Sequence, residues 1–188
     1  MRNRRLLPYR ERVIGAAEGR VLEIGAGSGL NLKLYKSAVS EILALEPDPK
    51  LTSMAEHHAN DATRPVRFLR ASAEQIPLDE KSVDTIVTTW TLCTIPHARH
   101  SLQEMRRVLK PNGKLLFVEH GLAPERSVQK WQNRLTPIWK RISGGCHLNR
   151  PIDILIEEAG FKVDLLETGY IPGPKMMTFL YEGRARRS

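Results

Sequence analysis

Cysteine is scarce in this chain. Cys93 and Cys146 are the two present among 188 residues, too few for a disulfide framework, and they lack the spacing of a zinc site. No metal is expected. Long apolar runs are also missing: none approaches the roughly 20 residues that span a bilayer. The opening "MRNRRLLPYRER" is basic but carries no apolar core of a secretory signal. A cytoplasmic location without stable membrane insertion is the resulting expectation. Aromatic residues make up 6% of the chain and form no stacking platform among the terminal arginines. With no repeat, low-complexity tract or linker, the length suits one domain over 1–188.

What is present is a globular composition, 41% apolar and 27% charged, with a net charge of +8. Arg2, Arg4, Arg5, Arg10 and Arg12 crowd one end; Arg184, Arg186 and Arg187 crowd the other. Such charge can attract nucleic acid or an anionic membrane. The plainer reading is a solvated surface with frayed termini, and no nucleic-acid partner is expected.

Strands alternate with helices. "VLEIG", "EILALEPD", "VRFLRAS", "VDTIVTTWTL" and "KLLFVEH" read as buried strands. "SGLNLKLYKSA", "PKLTSMAEHHAN" and "HARHSLQEMRRVLKPNG" read as the helices between them. That order predicts a doubly wound α/β sheet, mostly parallel and covered on both faces. Beyond it, "SVQKWQNRLTPIWKRI" sets Val128, Trp131, Leu135, Ile138, Trp139 and Ile142 near helical spacing, with a kink expected at Pro137. Trp131 and Trp139 are expected to pack that helix down. "PIDILIEEAG" is a short helix. "FKVDLLETGYI" and "KMMTFLYEGRA" are strands joined by "PGP", too short for a parallel crossover, so they should pair antiparallel.

Gly25, Gly27 and Gly29 stand at the end of the first strand, where missing side chains let backbone approach a ligand. Glu46 closes the second strand, and a carboxylate there can accept from both hydroxyls of a ribose. A dinucleotide site is the rival reading. Its G-x-G-x-x-G/A pattern needs a small residue where this chain has Leu30.

These blocks, "VLEIGAGSG", "LEPDP", "AEQIPLDEKSVDTIV" and "RVLKPNGKLLFVEHG", resemble the successive motifs of class I S-adenosylmethionine-dependent methyltransferases, closest to the small-molecule branch of ubiquinone and menaquinone biosynthesis. The resemblance covers Arg20 to Gly121 and implies a Rossmann-like sheet of about seven strands with an antiparallel last strand. "LCTIP", "VEHG" and "WQNRLTPIWKRISGGCHLNR" are similar to the methyltransferase-like 7 group of alkyl thiol methyltransferases. That group carries an N-terminal membrane anchor, which is not expected in this chain.

The resemblance implies S-adenosyl-L-methionine as cofactor and a small, apolar acceptor: a thiol, quinol or lipid-like molecule. It assigns Gly25, Gly27 and Gly29 to the methionine part, Glu23 to the amino group, Glu46 to the ribose and Pro47 to the adenine. Ser72, Ala73 and Glu74 fall at the adenine edge, with Ser72 where many relatives have Asp. Thr89 to Thr91, including Trp90, face the amino-acid end. Candidate bases near the strand ends are His97 and His120, joined by His147 in "GGCHLNR". Residues 122–150 are expected to form a substrate-side insertion. The alternative, an RNA-associated methyltransferase or cofactor-binding protein, is disfavoured: "TWTLCTIP" stands where a base-methylating enzyme would carry [ND]PP[YFW].

Overall fold

The computed structural model of the chain describes residues 4–188. Met1 to Asn3, with Arg2 among them, and the side chain of Arg4 lie outside the described residues. The strands are β1 (Gly19–Ile24), β2 (Val39–Leu45), β3 (Val66–Leu69), β4 (Val83–Thr89), β5 (Leu109–His120), β6 (Phe161–Tyr170) and β7 (Phe179–Arg187). They form one sheet in the order β3-β2-β1-β4-β5-β7-β6. β1 to β5 pair parallel, and β7 runs antiparallel between β5 and β6. This is the Rossmann-like arrangement expected from the sequence. The helices are α1 (Leu7–Gly15), α2 (Pro49–His58), α3 (Ala98–Val108), α4 (Arg126–Ile142), α5 (Ile152–Glu158) and α6 (Lys175–Thr178).

The central strands are buried on both faces, so neighbours in sequence serve opposite layers. Val21, Val87 and Leu116 pack with Val13 and Ile14 of α1. Leu22, Ile86 and Phe117 pack with Leu102, Met105 and Val108 of α3 and with Ile152 and Ile156 of α5. This explains why the strands read as continuous apolar runs rather than as alternation.

Four elements differ from expectation, the smallest being Lys175–Thr178, expected to open the last strand, which forms the short helix α6. The segment after the glycine corner is no α-helix; it makes turns and a 3₁₀ turn, Leu32–Leu34. Buried Leu32 and Tyr35 stand three apart, which suits the 3₁₀ period, and Asn31 is drawn inward by buried hydrogen bonds. The first helix, α1, was hidden by its basic composition. Two of its arginines are not the free surface charge expected: Arg10 is buried, and Arg12 donates to both carboxylate oxygens of Glu182 at 2.9 and 2.7 Å.

The fourth difference is α4. It continues through Pro137 to Ile142. It turns Gln132 and Thr136 inward and leaves Trp131 exposed, while Trp139 is half-buried. The reason is backbone satisfaction. Gln132 accepts from Ala123 N at 2.9 Å and donates to Gly121 O at 3.0 Å. Both partners lie in the irregular loop after β5, where a buried unpaired amide or carbonyl would cost about 1–3 kcal/mol.

Candidate functional site

The chain runs from β1 outward through β2 and β3, then crosses back to β4 on the other side of β1. The carboxyl ends of β1 and β4 therefore diverge, and such a switch point opens a crevice. A cavity of about 480 Å³ occupies it, lined by Gly25, Ala26, Gly27, Ser28, Glu46, Pro47, Ser72, Ala73, Thr89, Trp90 and Thr91, with Arg10, Asn31 and Gly144.

The glycines divide by role. A Cβ on Gly25 would lie 2.4 Å from Thr91 Cγ2, and one on Gly29 would lie 3.0 Å from Ala55 Cα. A Cβ on Gly27 would meet nothing nearer than Gly25 O at 3.9 Å, so it would stand in the cavity. Gly27 adopts φ +57°, which a glycine reaches without penalty. Its amide donates to Glu46 Oε2 at 2.9 Å, and Asp48 N donates to Glu46 Oε1 at 3.1 Å. Each carboxylate oxygen thus keeps a lone pair for a ligand. Asp48 itself caps α2, accepting from Lys50 N and Leu51 N.

Behind the opposite wall lies a buried polar network. Glu23 accepts from Asn31 Nδ2 at 2.7 Å and from the Tyr35 hydroxyl at 3.0 Å. Burial pushes its carboxyl up to about 7, against the pull of Asn31, Tyr35 and the Arg10 charge. Glu23 does not line the cavity; Arg10 and Asn31 stand there in its place. Arg10 donates to Asn31 Oδ1 and, at 3.4 Å, to Thr89 Oγ1, and lies 4.8 Å from the centre of the Trp90 ring. Burial lowers its pKa, partly offset by Glu23, yet an arginine stays protonated at any working pH. Trp90 has φ +52°, a conformation that costs a side-chain-bearing residue about 1–2 kcal/mol.

A second buried acid braces the loop after β4. Glu119 Oε1 accepts from Thr91 N at 3.0 Å, and Oε2 accepts from Cys93 N at 3.4 Å. Burial pushes this carboxyl up to about 7 as well, with the amides of Thr91, Leu92 and Cys93 pulling it down. Residues 144–150 clamp onto the same loop. His147 N donates to Cys93 O at 2.7 Å, and Arg150 donates to the carbonyls of Leu92 and Pro96.

Of the site residues read from sequence, Gly25, Gly27, Glu46, Pro47, Ser72, Ala73, Thr89 and Trp90 come together around the cavity, whereas Gly29 does not line it and sits close against Ala55 of α2. Glu74 does not line it; its carboxylate accepts from His97 N at 3.0 Å and ties that loop to the start of α3. None of the three histidines is a lining residue. His97 is exposed, and His147 Nδ1 lies 3.3 Å from Cys93 O. His120 hydrogen-bonds Cys146, whose thiol is lowered chiefly by Cys93 and then, against burial, by His120. Cys93 is raised by the same contact and by burial. Cys93, Cys146 and Leu148 form an apolar nest with Leu135, Trp139 and Met177. Among the described residues, no cluster of His, Cys, Asp and Glu could hold a metal ion.

Arg10, Asn31 and Glu119 escaped the sequence reading. Arg10 sat within a run of arginines, and Asn31 within a misread helix. Glu119 had one usable signal, a lone acid in an otherwise apolar strand.

A crevice at the switch point of a sheet in this order, with a glycine corner and an acid closing the next strand, defines a Rossmann-like cofactor-binding protein. The family description "Methyltransferase domain" matches residues 22–117, and the chain belongs to that family. The thiol S-methyltransferase TMT1B of Rattus norvegicus is 38% identical over 154 residues, 78% of this chain and 62% of the relative. The thiol S-methyltransferase TMT1A of Homo sapiens is 34% identical over 149 residues, 75% of this chain and 59% of the relative. The chain therefore spans less than two thirds of the length of either. An S-adenosylmethionine-dependent methyltransferase structure from Mesorhizobium loti superposes with a TM-score of 0.73 at 17% identity, covering 97% of this chain and 98% of that one. This is a likeness of fold. No helix among the described residues is long and apolar enough to cross a membrane.

Proposed function

We propose that this chain is an S-adenosyl-L-methionine-dependent methyltransferase whose acceptor is a small apolar thiol. The observation that carries the cofactor is the cradle at Gly27. Its missing Cβ leaves room in the cavity, and the Glu46 carboxylate beneath it keeps lone pairs for a ribose diol. Glu46 and the Arg10 guanidinium both line the cavity, and they suit a ligand with a diol and a carboxylate. A dinucleotide fits worse. Its pyrophosphate needs a helix N-terminus after the glycine loop, and the segment there is turns and a short 3₁₀ turn.

When bound, the cofactor supplies an electrophilic methyl group on a sulfonium. The protein's own task is placement. Holding reacting atoms in line at roughly 3–3.5 Å supplies much of the rate in such transfers. Trp90 and Thr91, fixed by Glu119, would set that end of the cavity. Residues 122–150 would wall the acceptor side, with Gly144 at the rim and the Cys93, Cys146 and Leu148 nest behind it. The thiolate is the reacting species. None of the histidines lines the cavity, so we assign the thiol's proton to solvent and give His120, bonded to Cys146 at the end of β5, a structural role with His147 and His97. The names of the two thiol methyltransferase relatives support this choice of acceptor.

Calorimetry with S-adenosylmethionine and NAD tests the cofactor; binding of NAD alone would overturn the reading. Methyl transfer to an alkyl thiol and to a quinol, followed against pH, tests the acceptor. The thiol rate should rise with pH as the thiolate fraction grows, and His120→Gln should leave the shape of that rise unchanged. Transfer to the quinol alone would refute the thiol assignment and leave the cofactor standing.

A further inference from the structure

We propose that the outer face of α4 seats this protein on an anionic lipid surface. Trp131, Ile138 and Ile142 are 53%, 64% and 74% exposed. With half-buried Leu135 they stand four, three and four residues apart, which is one continuous stripe along a helix. The helix cannot roll to hide this stripe. Its inward face is committed through Gln132 to Ala123 N and Gly121 O, and through Gln129, which donates to Ala123 O at 2.8 Å. Rolling it would orphan those buried groups.

The charges beside the stripe identify the occupant. α4 carries Arg126, Lys130, Arg134, Lys140 and Arg141 and no acid. None of these five is in an ion pair among the described residues. Lys130, Arg134 and Arg141 follow one flank of the stripe at helical spacing. A tryptophan and isoleucines beside a band of cations match a helix lying in a bilayer interface, its apolar side chains below the headgroups and its cations among their phosphates. Nucleic acid offers the phosphates but nothing for Ile138 and Ile142 to enter. A stripe one side chain wide is slight against the roughly 800 Å² that a stable protein partner covers.

The placement has a consequence for the cavity. The Gly145 amide bonds back to Lys140 O at 2.9 Å, and adjacent Gly144 lines the cavity. Docking through α4 would bring that rim toward the lipid, where apolar acceptors concentrate. The docking inference stands on the helix alone, so its failure would leave the proposed reaction untouched.

The test is co-sedimentation of the whole chain with vesicles of phosphatidylcholine, alone or with about 30% phosphatidylserine. The expected result is binding to the anionic vesicles, weakened by salt, with Trp131 fluorescence quenched by brominated acyl chains. The double variant Ile138→Glu/Ile142→Glu should lose binding. Arg134→Gln/Arg141→Gln should lower the partition coefficient about 30-fold, equivalent to about 2 kcal/mol. All four positions are exposed, so circular dichroism should show an unchanged fold. No binding to anionic vesicles would overturn the proposal. So would undiminished binding by either variant, or binding of an RNA duplex or acidic polypeptide in place of vesicles.

Discussion

Replacing Gly27 by alanine separates the glycine that serves a ligand from those that serve the fold. The added methyl meets no protein atom closer than 3.9 Å, so the fold's cost is conformational. At φ +57° that cost is about 1–2 kcal/mol for a residue with a side chain. In a chain of this size it lowers the melting temperature by roughly 2–8 °C. The same methyl enters the cavity between Glu46 and the ligand. Overpacking of this kind costs about 1–3 kcal/mol, a loss of roughly 5- to 150-fold in affinity. Gly25→Ala should behave differently: its Cβ would fall 2.4 Å from Thr91 Cγ2, forcing apart the β1 and β4 loops. It should destabilise more than Gly27→Ala and lose binding only as a by-product. Thermal melts and calorimetric titration with S-adenosylmethionine on both variants make the comparison. Wild-type affinity in Gly27→Ala would refute the cradle. So would a destabilisation equal to that of Gly25→Ala.

Two further outcomes follow from the buried charges. Arg10→Met should weaken S-adenosylmethionine about 10- to 100-fold, the range for a hydrogen bond to a charged group, and leave 5′-methylthioadenosine, which lacks the carboxylate, nearly unchanged; equal losses would make Arg10 a purely structural residue. Glu23 and Glu119 are both pushed up to about 7 from 4.5, so the folded protein holds protons that the unfolded chain releases. Their stabilisation is fully present below about pH 4.5 and lost as pH rises through about 7. Denaturant unfolding should therefore show stability falling between about pH 5.5 and 8, by about 2 kcal/mol for each acid, and Glu119→Gln should remove its share; a flat profile would show that one or both stay ionised throughout.

The sheet was legible because its physics is local. β1, β2, β4 and β5 are apolar runs ended by glycine, proline or a polar residue, and α3 spaces Leu102, Met105 and Val108 on one face. The cavity's lining was legible where a residue's type is dictated by backbone approach, as at Gly27, or by one chemical task, as at Glu46. The helix after Gly29 was misread because Leu30, Leu34 and Ala38 keep helical spacing by accident. The burial that shapes the segment comes from Leu32, Tyr35 and Asn31, the last held by Glu23 and Thr89. No window along the sequence contains that partnership.

α4 was misread for a related cause, and it shows what the missed residues share. Apolar periodicity locates the face a helix would hide if burial of oil were the sole demand. At the carboxyl ends of these strands the chain leaves regular pairing, and its amides and carbonyls still need partners. Glu46 takes the amide of Gly27, Glu119 those of Thr91 and Cys93, and Gln132 both groups of the loop after β5. Each is a polar side chain buried at one end of the sheet, and each fixes a loop that lines or borders the crevice. Buried polar residues are costly unless fully bonded, so their concentration at this end marks where irregular backbone had to be held still. The same demand turned α4 on its axis, and so left Trp131, Ile138 and Ile142 facing outward.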